Sequence, residues 1–427
     1  MSAKASNDWG ARLKGRVGAW RARYCLRTSV TRLVSNLPIF SLFLVLSAFK
    51  PQSQKSLAAM FKLALAVLIL SQTALGFAPS NSRCHATTRS RTSLCMSSAI
   101  IVQNKGGGHG ELGFQLARTL SSHPKITSIT ILQDDACDDT KEPFQSYSSD
   151  IADVKIVKAS LGDDMTADRL QELLGVDTTF DYVWDNASKG PVGAGKAVCD
   201  AAKNWNCKLF TYVSSAGMYQ PSDDGPFPMP ETTPVKDSAG QNKFDEYAVE
   251  IGMPLVSFRP QYIYGPKSNK NDYIDYYFDR LVRSEPIPIP GDGTQLVSLT
   301  NSEDVASLLA SPLNDEASAI AQRYFNCGTD QLVSYDDVAS MCAEAAGISD
   351  FQISHFDVSL GKAKFPFRPT NFYIVPDKAK ATLGWEGPKH SLKDDLSWYF
   401  ESYYSRGGDK KVLDLSKDRE VLEPVQS

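Results

Sequence analysis

Three glycines follow an apolar stretch near residue 100, and their spacing suits them to phosphate binding. The sequence GGHGELG contains Gly107, Gly110 and Gly113, between the apolar run SAIIVQN and the helical pattern ELGFQLARTLSS. Backbone N–H groups at such positions can approach a pyrophosphate at a helix N-terminus. Asp134 follows roughly twenty residues later, where a carboxylate can bond a ribose 2′-hydroxyl and would repel a 2′-phosphate. If a dinucleotide binds, the pattern predicts NAD rather than NADP. The alternatives are that the glycines only form a tight turn and that Asp134 belongs to a solvated acidic loop.

Asp185 ends the apolar run FDYVWD and is a candidate metal ligand and catalytic residue. A carboxylate at the carboxyl edge of a sheet can hold a magnesium ion. One acid does not make a metal site, and Asp163, Asp164 and Asp181 are the acids that could join it. The alternative is a helix cap or a strand-end carboxylate without a metal.

A later segment, RPQYIYGPKSNKNDYIDYYFDRLVR, interleaves cations and aromatic rings. Cations can contact phosphates, and rings can stack on unpaired bases. The predicted RNA contacts are Arg259, Lys267, Lys270, Tyr273, Arg280 and Arg283. The alternative is that this segment partly lines a substrate pocket and partly packs as helix, with several of its tyrosines in the core.

The elements that would position these residues alternate between strands and helices. The strand candidates are SAIIVQN, ITSITILQ, DVKIVKASL, FDYVWDNAS and KLFTYVSSAG, and the helical stretches include ELGFQLARTLSS and PVGAGKAVCDAAKNW. This alternation predicts an α/β fold, a Rossmann-like doubly wound parallel sheet with a smaller C-terminal α/β substrate-type lobe. We place the NAD(P)-binding domain at 98–260, the smaller lobe, interleaved with it, at 261–411, and a tail at 412–427.

The first 97 residues predict a targeting leader. Between Asp8 and Glu111 there is no acidic residue, and MFKLALAVLILSQTALG predicts a signal peptide at about residues 60–76. The Ser-, Thr- and Arg-rich stretch at about 77–97 predicts a transit peptide, and Phe77 resembles the cleavage site of algal plastid precursors. We therefore expect import through the ER into the stroma of a complex plastid. The alternatives are a membrane anchor, or a true start at Met60 with residues 1–59 untranslated.

Composition limits the remaining classes. Residues 111–427 carry 30 Lys and Arg against 48 Asp and Glu, which opposes nucleic-acid binding through overall positive charge. Five cysteines follow the leader without a CxxC pair, as expected of unreactive thiols in a reducing compartment.

Several motifs, read in order, carry a resemblance to a known family. GDD from Gly162, DNAS from Asp185, SSAGMY from Ser214 and FRPQYIYGP from Phe258 resemble those of extended short-chain dehydrogenases/reductases. The later stretches YFDRLVRSEPIPIPGDGTQLVSLTNSEDVA, YFNCGTD, KFPFRPTNFY and KAKATLGW closely resemble the chloroplast stem-loop-binding protein family, an atypical branch of that superfamily. The resemblance runs from about Ile100 to about Lys411. We also assign Asp163, in the GDD motif, to the cofactor site.

The acid–base site of such reductases is incomplete in this sequence. In the reductases a tyrosine transfers the proton, a lysine four residues later lowers its pKa, and a serine or threonine orients the carbonyl. Ser215 and Lys243 match by position and are candidate catalytic residues, but the tyrosine position is Ala239. Neither Tyr219 nor Tyr247 has the required spacing. Ordinary hydride chemistry should be absent or crippled unless another tyrosine folds into the gap.

The resemblance implies a plastid protein that binds stem-loop mRNA or rRNA, with divalent-ion-dependent endoribonuclease activity in transcript and rRNA processing or stability. It also implies possible contacts with the plastid ribosome or transcription machinery and homo- or hetero-oligomers of family members, without a membrane in the mature form. Two alternatives stay open: an NAD-dependent sugar-nucleotide epimerase/dehydratase, and a non-catalytic ribosome- or transcription-associated assembly factor.

Overall fold

The computed structural model describes residues 97–104, 110–361 and 363–423. The predicted leader, apart from Ser97, and Gly107 of the glycine loop lie outside the described residues. The strands are β1 (Ser98–Gln103), β2 (Ser128–Asp134), β3 (Lys155–Ala159), β4 (Tyr182–Asp185), β5 (Leu209–Val213), β6 (Leu255–Pro260), β7 (Ile263–Tyr264), β8 (Ile287–Pro290), β9 (Leu296–Val297), β10 (Thr300–Asn301), β11 (Tyr324–Cys327), β12 (Val333–Ser334) and β13 (Ile353–Phe356).

Helices alternate with these strands along the chain. They are α1 (Gly110–Ser121), α2 (Tyr147–Asp150), α3 (Ala167–Leu174), α4 (Gly193–Asn204), α5 (Gly240–Glu250), α6 (Asp272–Leu281), α7 (Ser302–Ala310), α8 (Glu316–Gln322), α9 (Tyr335–Ala346), α10 (Asp377–Leu383), α11 (Leu392–Ser405) and α12 (Ser416–Leu422). In the described part of the chain, no helix has the length and apolar character needed to cross a membrane.

Seven strands form the central sheet, in the order β11-β6-β5-β4-β1-β2-β3. Every neighbouring pair in this sheet is parallel. Strands β1, β2 and β3 follow one another toward one edge of the sheet, and β4, β5, β6 and β11 follow one another toward the other edge. The direction of strand addition therefore reverses between β1 and β4. In open α/β sheets the crevice at the carboxyl ends of the strands at such a switch point is the usual ligand site.

Burial on both faces of the sheet explains the apolar runs of its strands. Ala99 and Ile101 of β1 pack into one core cluster, while Ile100 and Val102 pack into a second. Leu112, Leu116 and Leu120 of α1, one helical turn apart, all join the first cluster. The sheet therefore has a packed layer on each side, and the predicted doubly wound fold is confirmed.

The smaller C-terminal lobe has its own aromatic core. Tyr277, Phe278, Tyr335 and Tyr403 are fully buried there, within a cluster that also holds Tyr264 and Tyr276. The alternative that several tyrosines of the cation- and ring-rich segment are core residues is correct for Tyr264, Tyr276 and Tyr277. Strand β11 returns from this region to the edge of the central sheet, beside β6.

Candidate functional site

A cavity of about 780 Å³ lies at the switch point and is called here the switch-point cavity. It is lined by Val102 near the end of β1 and Asn104 after it, Asp134 at the end of β2, Asp163 after β3, and the loop after β4 that includes Gly190. All four strands are parallel, so their carboxyl ends meet at the same edge of the sheet. The structure thus brings together Asp134 and Asp163, both predicted for the cofactor.

The glycines of the predicted phosphate loop lie where the chain passes from β1 to α1. Gly110 is the first residue of α1, and a Cβ on Gly113 would collide with the side-chain amide of Gln103 in β1. Gly113 therefore permits close packing of the helix on the strand. The start of a twelve-residue helix and a carboxylate at the end of β2 are features that suit a dinucleotide, whose pyrophosphate would face the helix and whose ribose would face Asp134.

Asp185 holds the loop after β4. Its Oδ1 accepts hydrogen bonds from the backbone N–H groups of Ala187 (3.0 Å) and Ser188 (2.9 Å), and the side chain is fully buried. Burial raises the pKa of this carboxyl, since desolvation disfavours the charged form. Oδ2 is buried and has no hydrogen-bond partner among the described residues.

Of the three acids proposed to join Asp185, Asp163 lines the switch-point cavity and the other two form ion pairs. Asp181 lies at the opposite end of β4 and pairs with Lys208 at 2.9 Å, and Asp164 pairs with Arg169 at 2.6 Å. No group of three or more His, Cys, Asp or Glu side chains within the described ranges is arranged to hold a metal ion. The two hydrogen bonds of Asp185 Oδ1 give this residue a role in positioning the loop after β4.

The predicted catalytic pair, Ser215 and Lys243, lies on two different elements. Ser215 is half-buried, and its Oγ accepts a hydrogen bond from the N–H of Gly217 at 3.0 Å. Lys243 lies in the first turn of α5 with an exposed side chain, and Ala239 caps that helix without a polar group. No phenol therefore comes from position 239.

The two nearby tyrosines do not replace the missing one. The hydroxyl of Tyr219 is buried, donating to Asn326 Oδ1 at 2.7 Å and accepting from Arg259. The hydroxyl of Tyr247 donates to Asp200 and accepts from Lys196. Both hydroxyls are thus committed to contacts that do not involve Ser215 or Lys243.

Two of the predicted RNA-contacting arginines are interior residues. Arg259 is 5% exposed, lies between the rings of Tyr219 and Tyr324, and pairs with Asp245 at 3.8 Å. Arg280 is 4% exposed and makes two hydrogen bonds with Asp418, at 2.8 and 2.9 Å. Burial removes both arginines from the proposed RNA surface, because a phosphate could reach them only after local unfolding.

Two further cations predicted to contact RNA, Arg283 and Lys267, instead contact other parts of this protein. The guanidinium of Arg283 donates to the carbonyl oxygens of Gly408 and Lys411, at 2.9 and 2.6 Å. The ammonium of Lys267 pairs with Glu142 at 3.2 Å, and the Lys267 side chain is 26% exposed. These cations have partners inside the fold.

Lys270 and Tyr273, by contrast, line an open cavity of about 270 Å³ together with Ser215. The Lys270 ammonium lies 5.0 Å from the centre of the Tyr273 ring. Tyr262 and Arg368 line the same cavity and were not among the predicted site residues. The motif KFPFRPTNFY placed Arg368 among aromatic residues, which is the sequence signal that could have indicated it.

Residues 106–328 match the NAD dependent epimerase/dehydratase family. The chain belongs to this family. A curated relative, the chloroplast stem-loop binding protein of 41 kDa b, chloroplastic, from Arabidopsis thaliana, is 32% identical over 218 residues, which are 50% of this chain and 57% of that protein. The resemblance identified from the motifs is confirmed.

Other members of the epimerase/dehydratase family are more distant. A trifunctional UDP-glucose 4,6-dehydratase/UDP-4-keto-6-deoxy-D-glucose 3,5-epimerase/UDP-4-keto-L-rhamnose-reductase of Arabidopsis thaliana is 24% identical over 313 residues, covering 67% of this chain and 45% of that protein. The chain thus spans about half the length of the curated relatives it matches.

Solved structures show the same fold. The dTDP-glucose 4,6-dehydratase of Bacillus anthracis in complex with NAD has a TM-score of 0.57 at 15% identity, covering 73% of this chain and 98% of that one. The UDP-glucuronic acid 4-epimerase of Bacillus cereus with UDP-glucuronic acid and NAD has a TM-score of 0.54 at 16% identity, covering 72% and 99%. At these identities the likeness establishes the epimerase/dehydratase fold alone.

Proposed function

We propose that this protein binds stem-loop RNA in a plastid and uses the epimerase/dehydratase scaffold as a binding surface. The observation that carries the proposal is the altered site around Ser215. Ala239 supplies no phenol, while Lys270 and Tyr273 face the Ser215 cavity with a cation and a ring. Cations and stacking rings are what unpaired nucleotides require. The stem-loop binding and chloroplast location named for the Arabidopsis relative support the RNA and plastid parts.

We also propose that NAD binds in the switch-point cavity, held by the glycine turn, Asp134 and Asp163. Bound NAD would supply a nicotinamide ring able to exchange hydride. The chain's own residues do not complete that chemistry, since the position four residues before Lys243, where the phenol would stand, is Ala239. NAD then serves structure rather than turnover.

The finer part of the proposal is divalent-ion-dependent endoribonuclease activity in transcript and rRNA processing or stability. This activity is proposed from the family resemblance. On the same ground we propose contacts with the ribosome or transcription machinery and oligomers with family members, and the leader supports import into the stroma. Asp185 is the proposed Mg²⁺ ligand, because its buried Oδ2 has no hydrogen-bond partner among the described residues.

The test is incubation of the full chain with structured plastid RNA, with magnesium or with a chelator. We expect a protein–RNA complex of reduced gel mobility in both conditions. Cleavage products should appear with magnesium and not with the chelator. A complex without cleavage in magnesium would support the non-catalytic assembly factor and reject the nuclease. Failure to bind any stem-loop RNA would reject the proposed function.

A second candidate function is NAD-dependent turnover of a sugar nucleotide. It is favoured by the switch-point cavity and the sugar-nucleotide enzymes among the relatives. It requires a proton donor at the position of Ala239. Product formation from a UDP-sugar in the presence of NAD would establish it.

A further inference from the structure

Two adjoining cavities form a larger cleft around Arg368. The cavity lined by Ser215, of about 270 Å³, and a second one of about 670 Å³ share Arg368 and Phe372 in their walls. Both together are called here the Arg368 cleft. Small-ligand sites typically have volumes of about 300–1,000 Å³. The larger cavity lies within this range, and the smaller one lies just below it.

The cations of this cleft differ from the other cations of the region in having no carboxylate partner. Lys236, Lys270 and Arg368 line the cleft, and among the described residues none of them forms an ion pair. Their polar contacts are neutral: Lys236 and Arg368 donate to the carbonyl oxygen of Gly217, at 3.5 and 3.0 Å, and Lys270 donates to the Tyr273 hydroxyl at 3.3 Å. One carboxylate, that of Asp223, lies in the wall of the larger cavity.

Aromatic rings stand beside these cations. The Arg368 guanidinium lies 3.8 Å from the centre of the Phe372 ring, and Tyr262 packs edge-on against Tyr273 at 5.2 Å. Tyr262 has a φ of +36°, which bulky residues rarely adopt, and its hydroxyl accepts the backbone N–H of Arg368. Backbone strain of this kind clusters at ligand sites.

From this arrangement, and resting on the proposed function, we infer that the Arg368 cleft receives an unpaired nucleotide from the loop of the bound RNA. Its phosphate would meet Arg368 and Lys270, and its base would stack on one of the half-buried rings of Tyr262 and Tyr273. The stem would lie outside the cleft, since a double helix cannot enter cavities of this size. Because only an unpaired nucleotide can enter the cleft, the protein should bind stem-loops more tightly than plain duplexes.

The test uses the full chain and two hairpin RNAs with identical stems, one with a nucleotide loop and one closed by a non-nucleotide linker. We expect the looped RNA to bind about tenfold more tightly or better, the scale of a stacked base. Arg368→Ala should abolish this preference while leaving the affinity for the linker-closed hairpin unchanged, and Arg368→Lys should keep part of it. Arg419→Ala, which removes an exposed arginine of α12, is the matched control and should change neither affinity.

A second measurement does not depend on a substituted protein. Photo-crosslinking of wild-type protein to a hairpin with 4-thiouridine in its loop should label peptides that contain Tyr262, Tyr273 or Phe372. Equal binding of the two hairpins, or crosslinks confined to other peptides, would overturn the inference while leaving RNA binding intact. Loss of binding to both hairpins by the wild type would instead reject the proposed function itself.

Discussion

At the scale of the residue, cationic side chains divide according to their partners. Arg259 and Arg280 are buried against carboxylates, whereas Lys270 and Arg368 line a cavity and contact neutral oxygens. Sequence reasoning could identify the cation-rich segment but not this division. The partner of Arg280, Asp418, lies 138 residues away in the chain, and such a contact leaves no local pattern.

Lys270 and Tyr273 allow the charge and stacking contributions to RNA binding to be separated. Lys270→Ala should lower affinity and flatten the log–log salt dependence by ~0.7 to 0.9, because one phosphate contact is lost. Tyr273→Ala should weaken binding by ~1–3 kcal/mol at nearly constant salt slope, because stacking releases no counterions. Titrations at several salt concentrations measure both, and Lys417→Ala on α12 is the exposed-lysine control.

Fold must be verified for the tyrosine variant, since Tyr273 packs against Tyr262 and Phe367. A variant with an unchanged melting temperature that still binds the RNA like the wild type would count against stacking by Tyr273.

Asp245 gives a pH-dependent prediction at the same scale. Burial raises its pKa to about 6, against about 3.9 in an unfolded chain. Between these values the folded protein holds the proton more tightly, so this residue makes the free energy of unfolding fall as pH rises from about 4 to about 6. Asp245→Asn should flatten the pH dependence in that window, as measured by urea unfolding at a series of pH values.

Glu250→Gln is the matched control for Asp245, because Glu250 also lies in α5 and is exposed. It should leave the pH profile as in the wild type. An Asp245→Asn protein with the wild-type slope would show that this carboxyl titrates normally in the fold.

At the scale of the element, apolar periodicity predicted which segments form strands and helices. The five strand runs become β1 to β5, and the glycine-turn helix becomes α1, because each is buried on the faces that its pattern indicated. The cleft could not be predicted in this way. Ser215, Tyr262, Lys270 and Arg368 come from separate segments, and their meeting depends on how the C-terminal lobe packs.

The start of α5 offers a test of element packing. A Cβ on Gly240 would collide with the carbonyl oxygen of Lys189, in the loop that lines the switch-point cavity. Gly240→Ala should therefore destabilise the protein by about 1–3 kcal/mol, despite a gain in helix propensity of up to about 1 kcal/mol. It should also weaken NAD binding, because the loop must move.

The neighbouring position provides the opposite change as a control. Ala239→Ser introduces a hydroxyl at the N-cap of α5, where the wild type has none, and should stabilise the protein by about 1 kcal/mol. Chemical denaturation of both variants measures these effects. A Gly240→Ala protein as stable as the wild type would mean that α5 and the loop are not in close contact.

At the scale of the whole molecule, charge opposes RNA binding at long range. Residues 111–427 have 30 basic against 48 acidic residues, so RNA must be attracted by a local site. Screening limits the opposing field to about 8–10 Å at physiological salt, which allows a local cluster of cations to act. The Arg368 cleft, with three cations free of carboxylate partners among the described residues, is such a cluster.

The most direct test of the account compares RNA binding with sugar-nucleotide turnover in one preparation of the full chain. Fluorescence anisotropy would follow a labelled stem-loop RNA, and product analysis would follow a UDP-sugar incubated with NAD. We predict saturable RNA binding and no sugar-nucleotide product, since position 239 supplies no proton donor. Turnover of the UDP-sugar without binding of the RNA would contradict it.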